Sequence, residues 1–180
     1  NSYKDGQGII TFEIPITQIG DSAFYNCISL KSIIIPNNIA IIEGWLFANC
    51  ASLESAVLPD NVTDISREAF YNCTSLTSIT IPNNVSFIGR GAFGSCSNLR
   101  KIIIPDNVTS IEDATFYNCV SLSNVTLPNT ITYIGNDAFS KCDDVEISFD
   151  GSKEQWKNIY NSNAFKGTYF TVYCTNGKIT

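Results

Sequence analysis

Six cysteines recur at a fixed interval of 23 residues, at Cys27, Cys50, Cys73, Cys96, Cys119 and Cys142. A thiol can ligate a metal, close a disulfide or act as a nucleophile, and each role needs a particular neighbourhood. Zinc sites gather cysteines in close pairs such as Cys-x-x-Cys, whereas one cysteine per repeat makes a straight row and not a tetrahedron. In stacked repeats the Cα atoms would lie ~4.8 Å apart, within disulfide range, but parallel Cβ vectors hold the Cβ atoms farther apart than the ~3.8 Å a bridge prefers. The row therefore reads as free, buried thiols behaving as small hydrophobes. Such thiols need no oxidising compartment. Cys174 lies outside the row, and its spacing assigns it no role.

Other reactive types are sparse. The chain has no histidine, which removes Ser-His and Cys-His catalysis and histidine-ligated metals. Carboxylate pairs occur at Glu112-Asp113 and Asp143-Asp144. Acids adjacent in sequence form a solvated face, and no cleft is indicated that would raise the pKa of one of them as glycoside hydrolysis requires. The Asp- and Asn-rich turns suggest calcium, yet neither an EF-hand nor a Gly-Asp nonapeptide pattern is present. No catalytic, cofactor-binding or metal-ligating residue is expected, and no cofactor. Sequons at Asn61, Asn72, Asn84, Asn107 and Asn124 follow from repetition of the turn sequence and matter only in a glycosylating host.

The elements that place these residues are repeats. A fixed period of 20 to 29 residues with a Leu-x-x-Leu-x-Leu core marks a solenoid whose units contact only their neighbours. Five complete units run 28–50, 51–73, 74–96, 97–119 and 120–142. Each opens on Leu (Leu30, Leu53, Leu76, Leu99, Leu122), with apolar residues three and five positions later, as in Ile79 and Ile81. This alternation predicts a short strand with Ile79 and Ile81 inward and Ser78 and Thr80 outward. Strands are expected near 33–35, 56–58, 79–81, 102–104 and 125–127, stacked as a parallel sheet. Pro36, Pro59, Pro82, Pro105 and Pro128 end them, and Asn or Asp then forms the turn. Val or Ile pairs such as Val85 and Ile88 predict a second short extended segment. Ala-Phe-x-x-Cys predicts a turn of 3-10 or α helix on the outside, with Phe24, Phe47, Phe70, Phe93, Phe116 and Phe139 reaching into the core.

At the ends the pattern degenerates, as terminal repeats do. Residues 1–8 read as a frayed lead-in. Residues 1–27 form an N-terminal capping rung, with Ile10 and Phe12 at strand positions and Glu13 where the repeat has proline. After Cys142 a residue and the proline are lost. Val145, Ile147 and Phe149 suggest a last strand, Ser152 and Gln155 a capping box opening a short helix, and Trp156 a seal over the open end. The run 169–174 is strand-like, and Asn176-Gly177 supplies a tight turn. Residues 143–180 are thus a degenerate last rung and C-terminal cap, and 1–180 a single domain. The absence of an initial Met and of a signal peptide suggests a mature product or a fragment.

The unit Cys-x-x-Leu-x-x-Ile-x-Ile-Pro-x-x-Val-x-x-Ile-Gly-x-x-Ala-Phe resembles the 23-residue leucine-rich repeat of the BspA-like surface proteins, also called the Treponema pallidum type. The likeness covers residues 8–149, and the tail Asp-Gly-Ser-Lys-Glu-Gln-Trp-Lys-Asn-Ile resembles the C-terminal cap of bacterial members. The resemblance implies an extracellular or cell-surface module for recognition or adhesion, since some members of the family attach to host proteins or other microbes.

The expected architecture is an α/β repeat solenoid: a right-handed, curved leucine-rich repeat with its parallel sheet on the concave face, capped at both ends. A net charge of −6 argues against nucleic acid, which demands a basic face. No run of 18 apolar residues suggests membrane insertion. The candidate binding surface is the outward columns of the sheet, Ser32, Ser55, Ser78, Lys101 and Asn124 beside Ile34, Val57, Thr80, Ile103 and Thr126. The expected function is non-enzymatic binding of a host matrix or microbial surface protein by a monomer. Two alternatives stand beside it: glycan binding through exposed aromatics (Tyr25, Tyr71, Tyr117, Phe87, Tyr133), and a passive spacer in a longer surface protein.

Overall fold

The structure, a computed structural model, describes residues 2–4, 7–9 and 16–179. In chain order its strands are β1 (Ser2–Lys4), β2 (Gln7–Ile9), β3 (Ser32–Ile34), β4 (Ile41–Ile42), β5 (Ser55–Val57), β6 (Asp64–Ile65), β7 (Phe87–Ile88), β8 (Lys101–Ile103), β9 (Ser110–Ile111), β10 (Asn124–Leu127), β11 (Tyr133–Ile134), β12 (Asp144–Phe149), β13 (Tyr169–Cys174) and β14 (Gly177–Ile179). A helix, α1 (Lys153–Ile159), lies between β12 and β13. Each 23-residue unit makes one rung of a parallel-strand solenoid, with its first strand on one face and its second short strand on another.

The first face carries β3 paired with β5, and then β8, β10, β12 and β13 in parallel, with β14 antiparallel at the edge. The second carries β4, β6 and β7, and then β9 with β11. Most first-face strands begin one residue before the expected positions. The strand expected at 79–81 does not form: one parallel bridge joins Ser78 to Lys101, and nothing pairs the segment with β5. Ile79 and Ile81 are nevertheless buried, at 8% and 6% exposure. Hydrophobic alternation alone decides which side chains face in, so the segment stays extended without a ladder.

From Ser22 to Lys141 the outer turns are not helical, in contrast to the expectation from Ala-Phe-x-x-Cys, whereas the last one opens in a 3-10 helix, Ser162–Phe165. Each rung holds two residues at positive φ, four apart: Trp45 and Asn49, Glu68 and Asn72, Gly91 and Ser95, Ala114 and Asn118. A helix needs an unbroken right-handed run. Here, right- and left-handed residues mix, so alternate N–H groups turn away from their own rung. Ala48 N and Cys50 N bond back within the rung to Trp45 O and Phe47 O, both at 3.1 Å. Trp45 N, Phe47 N and Asn49 N instead donate to Arg67 O, Ala69 O and Tyr71 O of the next rung, at 3.1, 2.8 and 2.8 Å. The same three bonds recur from Ser22 to Lys141. This third ladder runs unbroken past the point where each sheet is interrupted.

Inside the turns the phenylalanines stack, with ring centroids 5.2 to 5.8 Å apart from Phe24 to Phe139. Cys50, Cys73, Cys96, Cys119 and Cys142 are buried and unbridged. Each thiol donates to the carbonyl of the phenylalanine 26 residues earlier, as Cys96 Sγ does to Phe70 O at 3.1 Å.

The stack continues beyond Cys142. Phe165 lies 5.2 Å from Phe139, extending the aromatic column. Gly167, at φ +70°, takes the left-handed place that asparagine holds at Asn26, Asn49, Asn72 and Asn118. Thr168 Oγ1 donates to Phe139 O at 2.7 Å, replacing the thiol. Residues 164–168 are thus a further Ala-Phe-x-x-Cys turn with Thr in the cysteine position, closing the degenerate last rung that β12 opens. The Phe139–Phe165 separation is 26 residues rather than 23 because α1 replaces the second strand. Its capping box is formed, with Gln155 N donating to Ser152 Oγ at 3.2 Å and Ser152 N to Gln155 Oε1 at 2.8 Å. Trp156 is buried against Phe149 and Phe165, and Asn161 Nδ2 donates to Ile134 O on the edge of β11 at 3.2 Å.

At the other end, β1 and β2 pair antiparallel where a frayed lead-in was expected. Ile10 and Phe12, expected at the strand positions of the first rung, and Glu13, expected in the place of its proline, lie outside the described residues. Ile16, Ile19, Phe24 and Cys27 are half-buried against the core.

Candidate functional site

Strand register sets the candidate surface. Ser32 pairs with Ser55 and Ile34 with Val57; Ser78 bridges to Lys101; Lys101 pairs with Asn124 and Ile103 with Thr126. All ten sequence-selected residues, Thr80 included, are exposed. Ile34 is 77% exposed, Val57 55% and Ile103 52%, so apolar side chains stand in water although the same strands bury their alternate residues. The structure brings the ten together in two banks, separated by the unpaired step between β5 and Ser78.

The columns run farther than the sequence suggested. Asn124 pairs with Glu146 and Thr126 with Ser148, and these pair in turn with Thr171 and Tyr173. Tyr173 is 43% exposed, and its hydroxyl donates to Glu146 Oε1 at 3.4 Å. A shallow groove of about 470 Å³ crosses this end of the face, lined by Ile103, Thr126, Ser148 and Tyr173 with Asp106 and Asp150. The alternation in Val145-x-Ile147-x-Phe149 was the available signal for Glu146 and Ser148. Nothing in the repeat announced Thr171 and Tyr173, because their strand follows the inserted helix.

The aromatic set divides. Phe87 and Tyr133 are exposed on the second face. Tyr25, Tyr71 and Tyr117 lie along the turns and are engaged there. Tyr25 Oη accepts from Asn49 Nδ2 at 3.1 Å, the Tyr71 ring leaves about 3.0 Å to a Cβ built on Gly94, and Lys141 Nζ lies 5.0 Å over the Tyr117 ring. Among the described residues no three His, Cys, Asp or Glu side chains gather as a metal requires. Of the paired acids, Glu112 accepts from Ser110 Oγ at 2.7 Å and Asp113 from Asn136 N at 2.7 Å.

Burial pushes the thiols up. Cys50 rises to about 11 and Cys142 to about 12, and Cys73, Cys96 and Cys119 are raised well above the ordinary thiol range; loss of hydration is the main cause throughout. These sulfurs remain protonated and unreactive at neutral pH. Among the described residues no helix is long and apolar enough to cross a membrane.

Several solved structures share this architecture. A leucine-rich repeat protein of T. pallidum is 28% identical with a TM-score of 0.70, over 76% of this chain and 68% of that one. A leucine-rich cell surface protein of Faecalibacterium prausnitzii A2-165 is 22% identical, with a TM-score of 0.52, over 79% of this chain and 66% of that one. The pneumococcal vaccine antigen PcpA is 20% identical, with a TM-score of 0.60, over 83% of this chain but 37% of the antigen. No curated protein matches the chain in sequence. The model of the BspA type leucine-rich repeat region matches in six copies over residues 2–119 and 88–176. With the repeat, the stacked turns and the family model covering nearly the whole length, the chain belongs to the BspA type leucine-rich repeat family.

Proposed function

We propose that the chain is a non-enzymatic recognition module of an extracellular or cell-surface protein, binding a protein partner through its first strand face. The observation that carries this is the exposure of Ile34, Val57 and Ile103 on the first-face strands, with Ile34 in register with Val57 beside Ser32 and Ser55 in one bank, and Ile103 in register with Thr126 beside Ser78, Lys101 and Asn124 in the other. Exposed aliphatics flanked by polar groups are a common composition of protein-binding surfaces. The description of the similar F. prausnitzii protein as a cell surface protein supports the location. A right-handed, curved solenoid with this face concave, acting as a monomer and capped at both ends, is part of the same proposal. The engagement of Tyr25, Tyr71 and Tyr117 within the turns favours protein over glycan as the ligand class.

The test is a binding screen against matrix proteins, microbial surface proteins and glycans, followed by Ile34→Lys, Val57→Lys and Ile103→Lys in the intact chain. These side chains point away from the core, so the melting temperature should hold while protein binding is lost. Retained binding in the triple variant, or binding removed instead by Tyr71→Ala and Tyr117→Ala, would show that the strand face is not the site.

A further inference from the structure

The groove at the C-terminal end of the first strand face is apolar below and acidic at its rim. Its floor is Ile104, Leu127, Pro128 and Phe149, all buried. Register places Ile103 and the Tyr173 ring at its two ends along the stack, with Thr126 and Ser148 between them. Asp106 and Asp150 stand exposed on the rim. They follow β8 and β12, which lie two rungs apart, or about 9.6 Å along the stack. The rung between them carries uncharged Asn129.

The charge of this groove is one-sided. Among the described residues neither rim carboxylate has a hydrogen-bond donor or an ion-pair partner, and no lysine or arginine lines the groove. Lys101, two residues before Ile103, and Lys178, opposite Tyr173 on β14, lie outside the lining. Glu146, which accepts from the Tyr173 hydroxyl at 3.4 Å, adds a third carboxylate beside it. The hydroxyls of Thr126 and Ser148 can donate or accept, so they do not alter the balance of charge. An acidic occupant would be repelled, and a purely apolar one would gain nothing from the rim. A lysine or arginine side chain matches both parts, with an aliphatic stem for the floor and a cationic head for the carboxylates.

We propose that this groove takes a basic side chain of the protein partner, a lysine or arginine whose stem lies over the apolar floor and whose charge sits between Asp106 and Asp150. The inference rests on the first strand face being the protein-binding surface, and it gives the partner's contact segment a positive charge. The Tyr173 ring offers the cation a further attractive face. The stack supplies an internal control. Asp60 follows exposed Val57 by three residues, as Asp106 follows Ile103, but it lies outside the groove.

Short Gly/Ser peptides carrying two arginines, two lysines, two glutamines or two glutamates are titrated into the intact chain. Heat release and the backbone amide shifts of Thr126, Ser148 and Tyr173 are followed. Saturable binding of the arginine and lysine peptides alone is expected, with shifts at this end of the face and an affinity that falls as salt is raised. Asp106→Asn and Asp150→Asn should each weaken it about threefold, and the pair about tenfold. Asp60→Asn should leave it unchanged. The peptides are read without any partner, so failure here and failure of the strand-face reading are told apart. Equal weakening by Asp60→Asn would show attraction to the net charge of −6 in place of a site. That result, equal binding of the glutamine peptide, absence of binding, or full affinity in the folded double variant would each overturn the proposal.

Discussion

From Cys50 to Cys142 the thiol of each rung serves a carbonyl. Phe70 O accepts both from Cys73 N within its rung, at 3.2 Å, and from Cys96 Sγ of the next. Where the cysteine is missing, Thr168 supplies the same donor to Phe139 O. The row is thus a column of small donors in an apolar wall. An unfolded thiol ionises near ~8.5, whereas Cys50 folded ionises at about 11 and Cys142 at about 12. Below the unfolded value both states keep the proton, and burying the neutral thiol keeps its full benefit. Between that value and the folded one only the unfolded chain releases protons, so stability falls as pH rises. We predict a melting temperature that is flat from pH 6 to 8 and declines through pH 9 to 11, with a shallower decline for Cys96→Ala. An unchanged slope in that variant would show that the thiols are not responsible. The burial of Cys50 to Cys142 was legible in the spacing, which excluded pairs and clusters, whereas Cys27, in the first rung, is half-buried. The hydrogen bond was not, since a 26-residue partner becomes visible only once the rungs are stacked.

Between strands and turns, the division of labour differs from what the apolar pattern implied. Alternation at Leu76, Ile79 and Ile81 correctly told which side chains face in, because burial follows side-chain direction. It could not tell whether backbone partners would come into reach, and at Ser78–Ile81 only a single bridge forms. Nor did Ala-Phe-x-x-Cys reveal left-handed residues; the recurring Asn before Cys was the usable sign, because asparagine tolerates that conformation better than most residues. Asn72 sits there at φ 58°, and its Nδ2 donates to Asn49 Oδ1 at 2.9 Å. Asn72→Ala should cost about 1–2 kcal/mol from backbone strain alone. Asn72→Gly, free of that strain, should cost less, and urea unfolding of the pair separates conformation from the lost amide bond. Equal losses would assign the whole effect to the side chain.

At the scale of the molecule, each rung covers the last, and the final rung carries much of what closes the stack. Truncation after Phe149 removes Trp156, Phe165 and β13, uncovering Phe139 and Phe149 and opening the edge of β12. Aggregation or a lowered melting temperature is expected, read by light scattering and circular dichroism; a monomeric truncation with the parent's melting curve would refute it. Trp156→Ala in the full chain should lose about 3–5 kcal/mol. The rungs are also not interchangeable. Tyr25, Tyr71 and Tyr117 alternate with Ala48, Gly94 and Ser140, and Pro59-Asp60-Asn61-Val62-Thr63 returns unchanged at 105–109 while the other three rungs carry Pro-Asn-Asn or Pro-Asn-Thr. Tyr71 lies so close to Gly94 that a Cβ there would meet its ring at 3.0 Å. Loss of residues 74–96 alone would place Tyr117 where Gly94 had been. Loss of 51–73 alone would instead set Gly94 beside Ala48, with no ring to meet. The order of the column therefore decides which rungs can be lost singly: one that carries tyrosine leaves two small residues side by side, whereas one that separates two tyrosines brings their rings together.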